Sequence, residues 1–141
     1  MKDLALRCLD QARASGASYA DVRVIRRRTE EIIVKNGKVE GVLSHEDEGF
    51  GVRAIADGCW GFASSRNLEM AEADRIAAMA VRIARASAVT RQKDVNIGPP
   101  VVSRGRYTTP VKLDPFSVPL EEKIALLMAA EEGMRRLEGI A

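Results

Sequence analysis

Histidine occurs once in this sequence, tryptophan once and cysteine twice. A lone His excludes metal sites built from several imidazoles and leaves almost no raw material for a His-dependent triad. The two thiols, Cys8 and Cys59, lie in dissimilar segments and form no Cys-x-x-Cys motif. Both read as small core-filling thiols of a reducing compartment. No apolar run approaches the ~18 consecutive residues that a membrane helix needs. The opening Met-Lys-Asp-Leu-Ala-Leu-Arg puts acid and base where a secretory signal would have its apolar core, so no signal peptide is expected. A cytoplasmic protein without a membrane partner is the expectation. Excess charge is lacking too: 22 basic against 20 acidic residues give +2, too balanced to imply nucleic acid by itself.

What is present suits one soluble domain. The chain has 141 residues, 46% hydrophobic and 30% charged, which is enough to bury a core without staples. The spacing predicts a helix over residues 2–15, with Leu4, Ala5, Cys8, Leu9 and Ala12 on one side and Gly16 stopping it. From Tyr19 to Ser64 the apolar period changes to two. Asn36-Gly37 and Asp57-Gly58 punctuate it, and each is a type I′ hairpin signal because both turn residues need positive φ. A two-residue turn at Asn36-Gly37 would oppose Val34 to Val39 and Ile32 to Gly41. At Asp57-Gly58 it would pair Ala56 with Cys59, Ala54 with Gly61 and Val52 with Ala63. The other face would then carry Ile55 with Trp60 and Arg53 with Phe62, and Arg53 could lie over the Phe62 ring. Helices are expected on the small-residue face. A second helix is predicted over 68 to about 88, with Asn67 as its cap. Pro, Gly, Arg and Thr then mark an extended connection. A last helix is expected from near Ser117, with Pro119 in its first turn and a buried stripe of Leu120, Ile124, Leu127 and Met128. Gly139-Ile140-Ala141 would lead into something further. The fold class is α+β: an antiparallel meander of four to five strands with helices on one face. Its parts are a core over 1–89, a linker over 90–116 and a C-terminal helix over 117–141.

Few residues invite chemistry. His45-Glu46 has the start of a zinc-protease motif but lacks the second His one turn on. The stretch His45-Glu46-Asp47-Glu48-Gly49 reads better as the charged loop of a hairpin. Arg26, Arg27 and Arg28 make the only basic concentration. A nucleic-acid site would use them for phosphate contacts, but Glu30 and Glu31 follow at once and no stacking aromatics interleave. A solvated edge or bend of the sheet is the simpler reading. Arg53, Ile55, Trp60 and Phe62 form the candidate surface for a substrate or partner, while core or domain-interface packing is the simpler reading of Trp60 and Phe62. No catalytic residue, metal ligand or cofactor site is identified in these residues.

Three stretches together resemble the N-terminal domain of the TldD/PmbA family, closer to its TldD branch. They are Ala20-Asp-Val-Arg-Val through Val34-Lys-Asn-Gly-Lys-Val-Glu-Gly41, Glu48-Gly-Phe-Gly-Val-Arg through Asp57-Gly-Cys-Trp-Gly-Phe-Ala-Ser64, and Asp114-Pro-Phe-Ser-Val-Pro-Leu-Glu-Glu-Lys123. The resemblance implies a cytosolic zinc metallopeptidase acting on peptides, and a sister subunit in a homo- or heterodimer. Its His-Glu-x-x-x-His helix lies downstream of the matched region, so none of its zinc ligands falls on this sequence. Zinc is thus implied for the longer protein and not for these residues. The expected role is a non-catalytic portion that helps to shape the substrate cleft and subunit contacts. A free-standing interaction module is the alternative. A weak nucleic-acid binder, after the family's older label of gyrase modulator, is a further one.

Overall fold

A computed structural model describes residues 1–99 and 101–137. Gly139, Ile140 and Ala141, expected to lead onward, lie outside the described residues. In chain order the elements are helix α1 (Lys2–Ala14), strands β1 (Tyr19–Lys35), β2 (Lys38–Ala56) and β3 (Cys59–Ser65), helix α2 (Met70–Ser87) and helix α3 (Leu120–Arg135). Short 3-10 turns follow α2 at Ala88–Thr90 and precede α3 at Pro115–Ser117. The architecture is α+β, and the sheet is three-stranded in the order β1-β2-β3. None of the described helices is long and apolar enough to cross a membrane.

The expected four to five strands are three. His45–Gly49, expected as a hairpin loop, runs inside the 19-residue β2. His45, Glu46 and Glu48 are exposed there. A strand can carry consecutive charges when both of its faces are wet, so the charge run does not break the ladder.

Two compact units divide the chain: Met1–Arg27 with Glu46–Val101, and Arg28–His45 with the chain from Val102 onward. The first holds the core. Leu4, Cys8 and Ala12 of α1, Val52, Ala54 and Ala56 of β2, Ala63 of β3, and Ile76, Ala77, Ala80, Val81 and Ala84 of α2 are buried together. Val22 and Val24 of β1 pack against the edge of this cluster. The β2–β3 register pairs Ala56 with Cys59, Ala54 with Gly61 and Val52 with Ala63, as a two-residue turn requires. Asp57 and Gly58 have φ of 50° and 73°, the left-handed conformation for which Asp-Gly is suited. Small residues at this face bring α2 very close. A Cβ on Gly61 would lie 2.0 Å from the Ala80 carbonyl oxygen and 2.4 Å from the Ala84 nitrogen. Across α1 and α2, Arg7 makes a two-bond fork to Asp74, at 2.6 and 2.7 Å.

Helix α2 begins at Met70 rather than at residue 68, and Asn67 does not cap it. The Asn67 side-chain oxygen instead accepts from the Glu69 N–H at 3.0 Å, an Asx turn ahead of the helix. The connection after α2 is held at its start: Val95 N–H donates to the Gly58 carbonyl at 2.9 Å, and Arg91 Nη1 donates to the Asp57 carbonyl at 2.6 Å.

In the second unit α3 starts at Leu120, three residues later than expected, with Pro119 at the N-cap. The sequence Asp114-Pro-Phe-Ser forms its own 3-10 turn, in which the Asp114 carboxylate accepts from the Phe116 N–H at 2.9 Å. The α3 stripe of Leu120, Ile124, Leu127 and Met128 is half-buried rather than buried. Polar contacts tie the helix to the hairpin. Lys123 Nζ bonds the Glu30 carboxylate. Both Glu131 carboxylate oxygens accept from the Gly37 N–H at 2.8 Å. That amide is exposed for capture because Asn36 and Gly37 turn with φ of 52° and 71°.

Candidate interaction face of the sheet

Because side chains alternate along a strand, whatever β2 and β3 do not give to the helices projects from the other face. That face carries Gly49, Gly51, Arg53 and Ile55 from β2, and Trp60, Phe62 and Ser64 from β3; Ile55 pairs with Trp60 and Arg53 with Phe62. The four residues singled out in the sequence are thus neighbours, but they behave differently. Ile55 is 6% exposed and so belongs to the packed interior rather than to an open surface. Trp60 is half-buried and meets Tyr19 edge-on, with centroids 5.8 Å apart at 86°. Phe62 is 58% exposed.

Arg53 does not lie over Phe62. Its guanidinium sits 4.7 Å from the Trp60 centroid and donates from Nε to Asp21 at 2.8 Å. The larger indole face is the better cation-π partner, and Asp21 fixes the approach. The Asp21 bond also raises the Arg53 pKa, so the charge is permanent. Phe62 turns its ring the other way: a Cβ on Gly51 would meet that ring at 2.8 Å. The exposed phenyl therefore leans over bare glycine backbone.

The three consecutive arginines do not make one patch. Arg26 faces Glu48 at 3.7 Å. Strand alternation sends Arg27 to the opposite face. Arg28 belongs to the second unit, where its guanidinium lies 4.6 Å over the Phe116 ring. A basic run in a strand divides between two faces, which a run in a helix or loop need not do.

Sequence reading missed a groove beside Phe62. It has a volume of about 680 Å³, and its lining includes Arg23, Ile25 and Arg27 of β1, Asp47, Glu48, Gly49 and Gly51 of β2, and Phe62, Ser64 and Arg66. The signal was present in the alternating Arg-x-Ile-x-Arg of β1 and the Gly-x-Gly of β2. Only the sheet order shows that the two patterns lie side by side. Within that lining Arg66 bonds Asp47 at 3.3 Å.

The described residues hold no group of three His, Cys, Asp or Glu side chains that could ligate a metal. The zinc that the family resemblance implies therefore does not fit this set of residues, and no chemical step can be assigned to it here. Cys8 is no nucleophile either, since burial raises its thiol to about 11.

Fold and face together define a small α+β fold that presents Phe62 and a groove on the sheet face away from its helices. Residues 20–84 match the family model for PmbA/TldA metallopeptidase domain 1, which establishes over that stretch the resemblance seen in the sequence. A metalloprotease of Methanothermobacter thermautotrophicus is 32% identical over 112 residues, covering 79% of this chain and 23% of the relative. A metalloprotease of Methanocaldococcus jannaschii is 26% identical over 116 residues, covering 82% and 26%. The chain thus spans about a quarter of the length of the curated relatives it matches. Among solved structures, TldE from Thermococcus kodakarensis superposes with a TM-score of 0.58 at 16% identity, over 74% of this chain and 23% of that one. A protein described as a modulator of DNA gyrase from Bacteroides thetaiotaomicron gives 0.63 at 18% identity, over 99% and 31%. At those identities the structures speak for the fold alone.

Proposed function

We propose that these residues form the N-terminal, non-catalytic portion of a TldD/PmbA-like zinc metallopeptidase, shaping the substrate cleft and subunit contacts. The observation that carries the reading is the family match over residues 20–84 on a fold whose sheet face away from the helices exposes Phe62 beside a half-buried Trp60. Zinc and peptide cleavage then belong to the downstream part of the longer protein. This portion offers the exposed Phe62 and the fixed Arg53–Trp60 pair to a peptide, a sister subunit or the peptidase domain. A cytoplasmic location and a dimer go with this reading.

The test separates binding from chemistry. The 141-residue chain should bind no stoichiometric zinc and cleave no peptide. In a protein that carries this domain and the downstream metal site, Phe62→Ala should lower kcat/KM or weaken dimerisation while zinc content stays the same. One tightly held zinc on the 141-residue chain, lost on His45→Ala, would contradict the reading. So would full activity and assembly in the Phe62→Ala protein.

A further inference from the structure

The groove beside Phe62 combines charge with apolar surface in a fixed order. Arg23, Ile25 and Arg27 follow one another along the same face of β1 and all line it. Two acids, Asp47 and Glu48, line it as well, and they are engaged by Arg66 at 3.3 Å and Arg26 at 3.7 Å. Neither Arg23 nor Arg27 has a carboxylate partner among the described residues. Both are exposed, on the edge strand of the sheet. Between them sits Ile25, 51% exposed, and Phe62 at 58% supplies apolar surface on the other side. The backbone at Gly49 and Gly51 lines its floor, with the Phe62 ring lying over Gly51 and the Ser65 carbonyl beside Gly49.

We propose that this groove docks an extended acidic segment of a partner polypeptide, in which two carboxylates flank one apolar side chain. The spacing follows from strand geometry. Positions four apart on a strand are separated by about 13 Å, which is also the separation of side chains four apart in an extended ligand. A segment reading acid-x-apolar-x-acid therefore meets Arg23, Ile25 and Phe62, and Arg27 in register. Guanidinium forks suit carboxylates, and the exposed Phe62 ring over Gly51 offers the apolar side chain a flat partner. A basic segment of the same shape would meet like charge at both ends, so discrimination comes from repulsion as well as attraction. The proposal concerns the same sheet face as the proposed function but not proteolysis, and it is read on the 141-residue chain alone.

The experiment uses two fluorescein-labelled nonapeptides, Gly-Ser-Glu-Ser-Leu-Ser-Glu-Ser-Gly and its counterpart with Lys for both Glu, followed by anisotropy in 0.15 M salt. The intact chain should bind the Glu peptide roughly tenfold more tightly than the Lys peptide. The Arg23→Glu/Arg27→Glu double variant should invert that preference, and replacing Leu by Ser in the peptide should weaken binding. If the double variant loses the far-ultraviolet circular dichroism of the parent chain, Arg23→Gln and Arg27→Gln are to be measured singly, and each should lose part of the Glu-peptide affinity. Equal binding of both peptides, or a preference unmoved by these substitutions, overturns the proposal. Failure here leaves the peptidase reading standing, since that reading is tested on zinc, turnover and assembly in the longer protein.

Discussion

Two glycines one strand apart show how differently a missing side chain can be used. At Gly61 the neighbour is α2 backbone, 2.0 Å from where a Cβ would be, and a helix cannot step aside cheaply. Gly61→Ala should therefore destabilise the protein by roughly 1–3 kcal/mol, the usual cost of forcing extra volume into a packed core. At Gly51 the neighbour is the exposed Phe62 ring, which can swing into solvent. Gly51→Ala should stay within about 0.5 kcal/mol of the parent. Urea midpoints of the two variants give the comparison, and equal losses would contradict the packing described.

Two shifted groups, Glu72 and Cys8, contribute to stability at opposite ends of the pH range. Glu72 is held down to about 2, first by hydrogen bonds from Arg75 and then by one from Ser65. Its carboxylate favours the folded state above its ordinary value of 4.5, and that contribution is lost as pH falls toward 2. Asp74 is lowered as well, by Arg7. Cys8 works in the other direction. Desolvation raises its thiol from 9.0 to about 11, so the folded state keeps the proton longer and stability falls as pH rises from 9 toward 11. Thermal melts should show Tm dropping at both extremes. Glu72→Gln should flatten the acid limb and Cys8→Ala the alkaline limb; unchanged limbs would contradict these assignments.

At the scale of elements, α3 lies against the tip of the β1–β2 hairpin with no fully buried residue of its own. Polar contacts must therefore do much of the positioning. The bond from the Gly37 N–H to Glu131 joins residues 94 apart in sequence. Glu131→Ala should remove about 0.5–1.5 kcal/mol from this contact. Amide hydrogen exchange is the direct readout: Gly37 should exchange faster, while amides of α1 and α2 keep their rates. Unchanged exchange at Gly37 would show that the carboxylate does not hold the turn.

The same elements show what could be read in advance. Helix α1, the two turn dipeptides and the small-residue face were legible, because apolar period and positive-φ turn residues are local signals. The strand count was not. Acidic residues in the middle of β2 look like a loop, and only pairing with β1 keeps them in a strand. Nor was the length of α3 visible, since Asp114-Pro-Phe-Ser builds a separate turn whose cap resembles a helix start. At the candidate surface the set of neighbours followed from the Asp57-Gly58 register. The choice of Trp60 over Phe62 by Arg53 depended on Asp21, which lies 32 residues away and carries no local signal.

At the scale of the first unit taken whole, one face of the β2–β3 sheet packs on α1 and α2, and the other carries the groove, the exposed Phe62 and the half-buried Trp60. The proposed function and the acidic-segment docking both depend on that asymmetry. Trp60 reports on it directly, because it is the one tryptophan of the chain and it stands on the face away from the helices. The decisive measurement is the fluorescence of the monomeric 141-residue chain, with iodide and caesium as paired quenchers. A half-buried indole beside the Arg53–Asp21 ion pair should be quenched by both ions. A blue-shifted emission that resists both ions would place Trp60 in a closed core and contradict its half-buried place on that face.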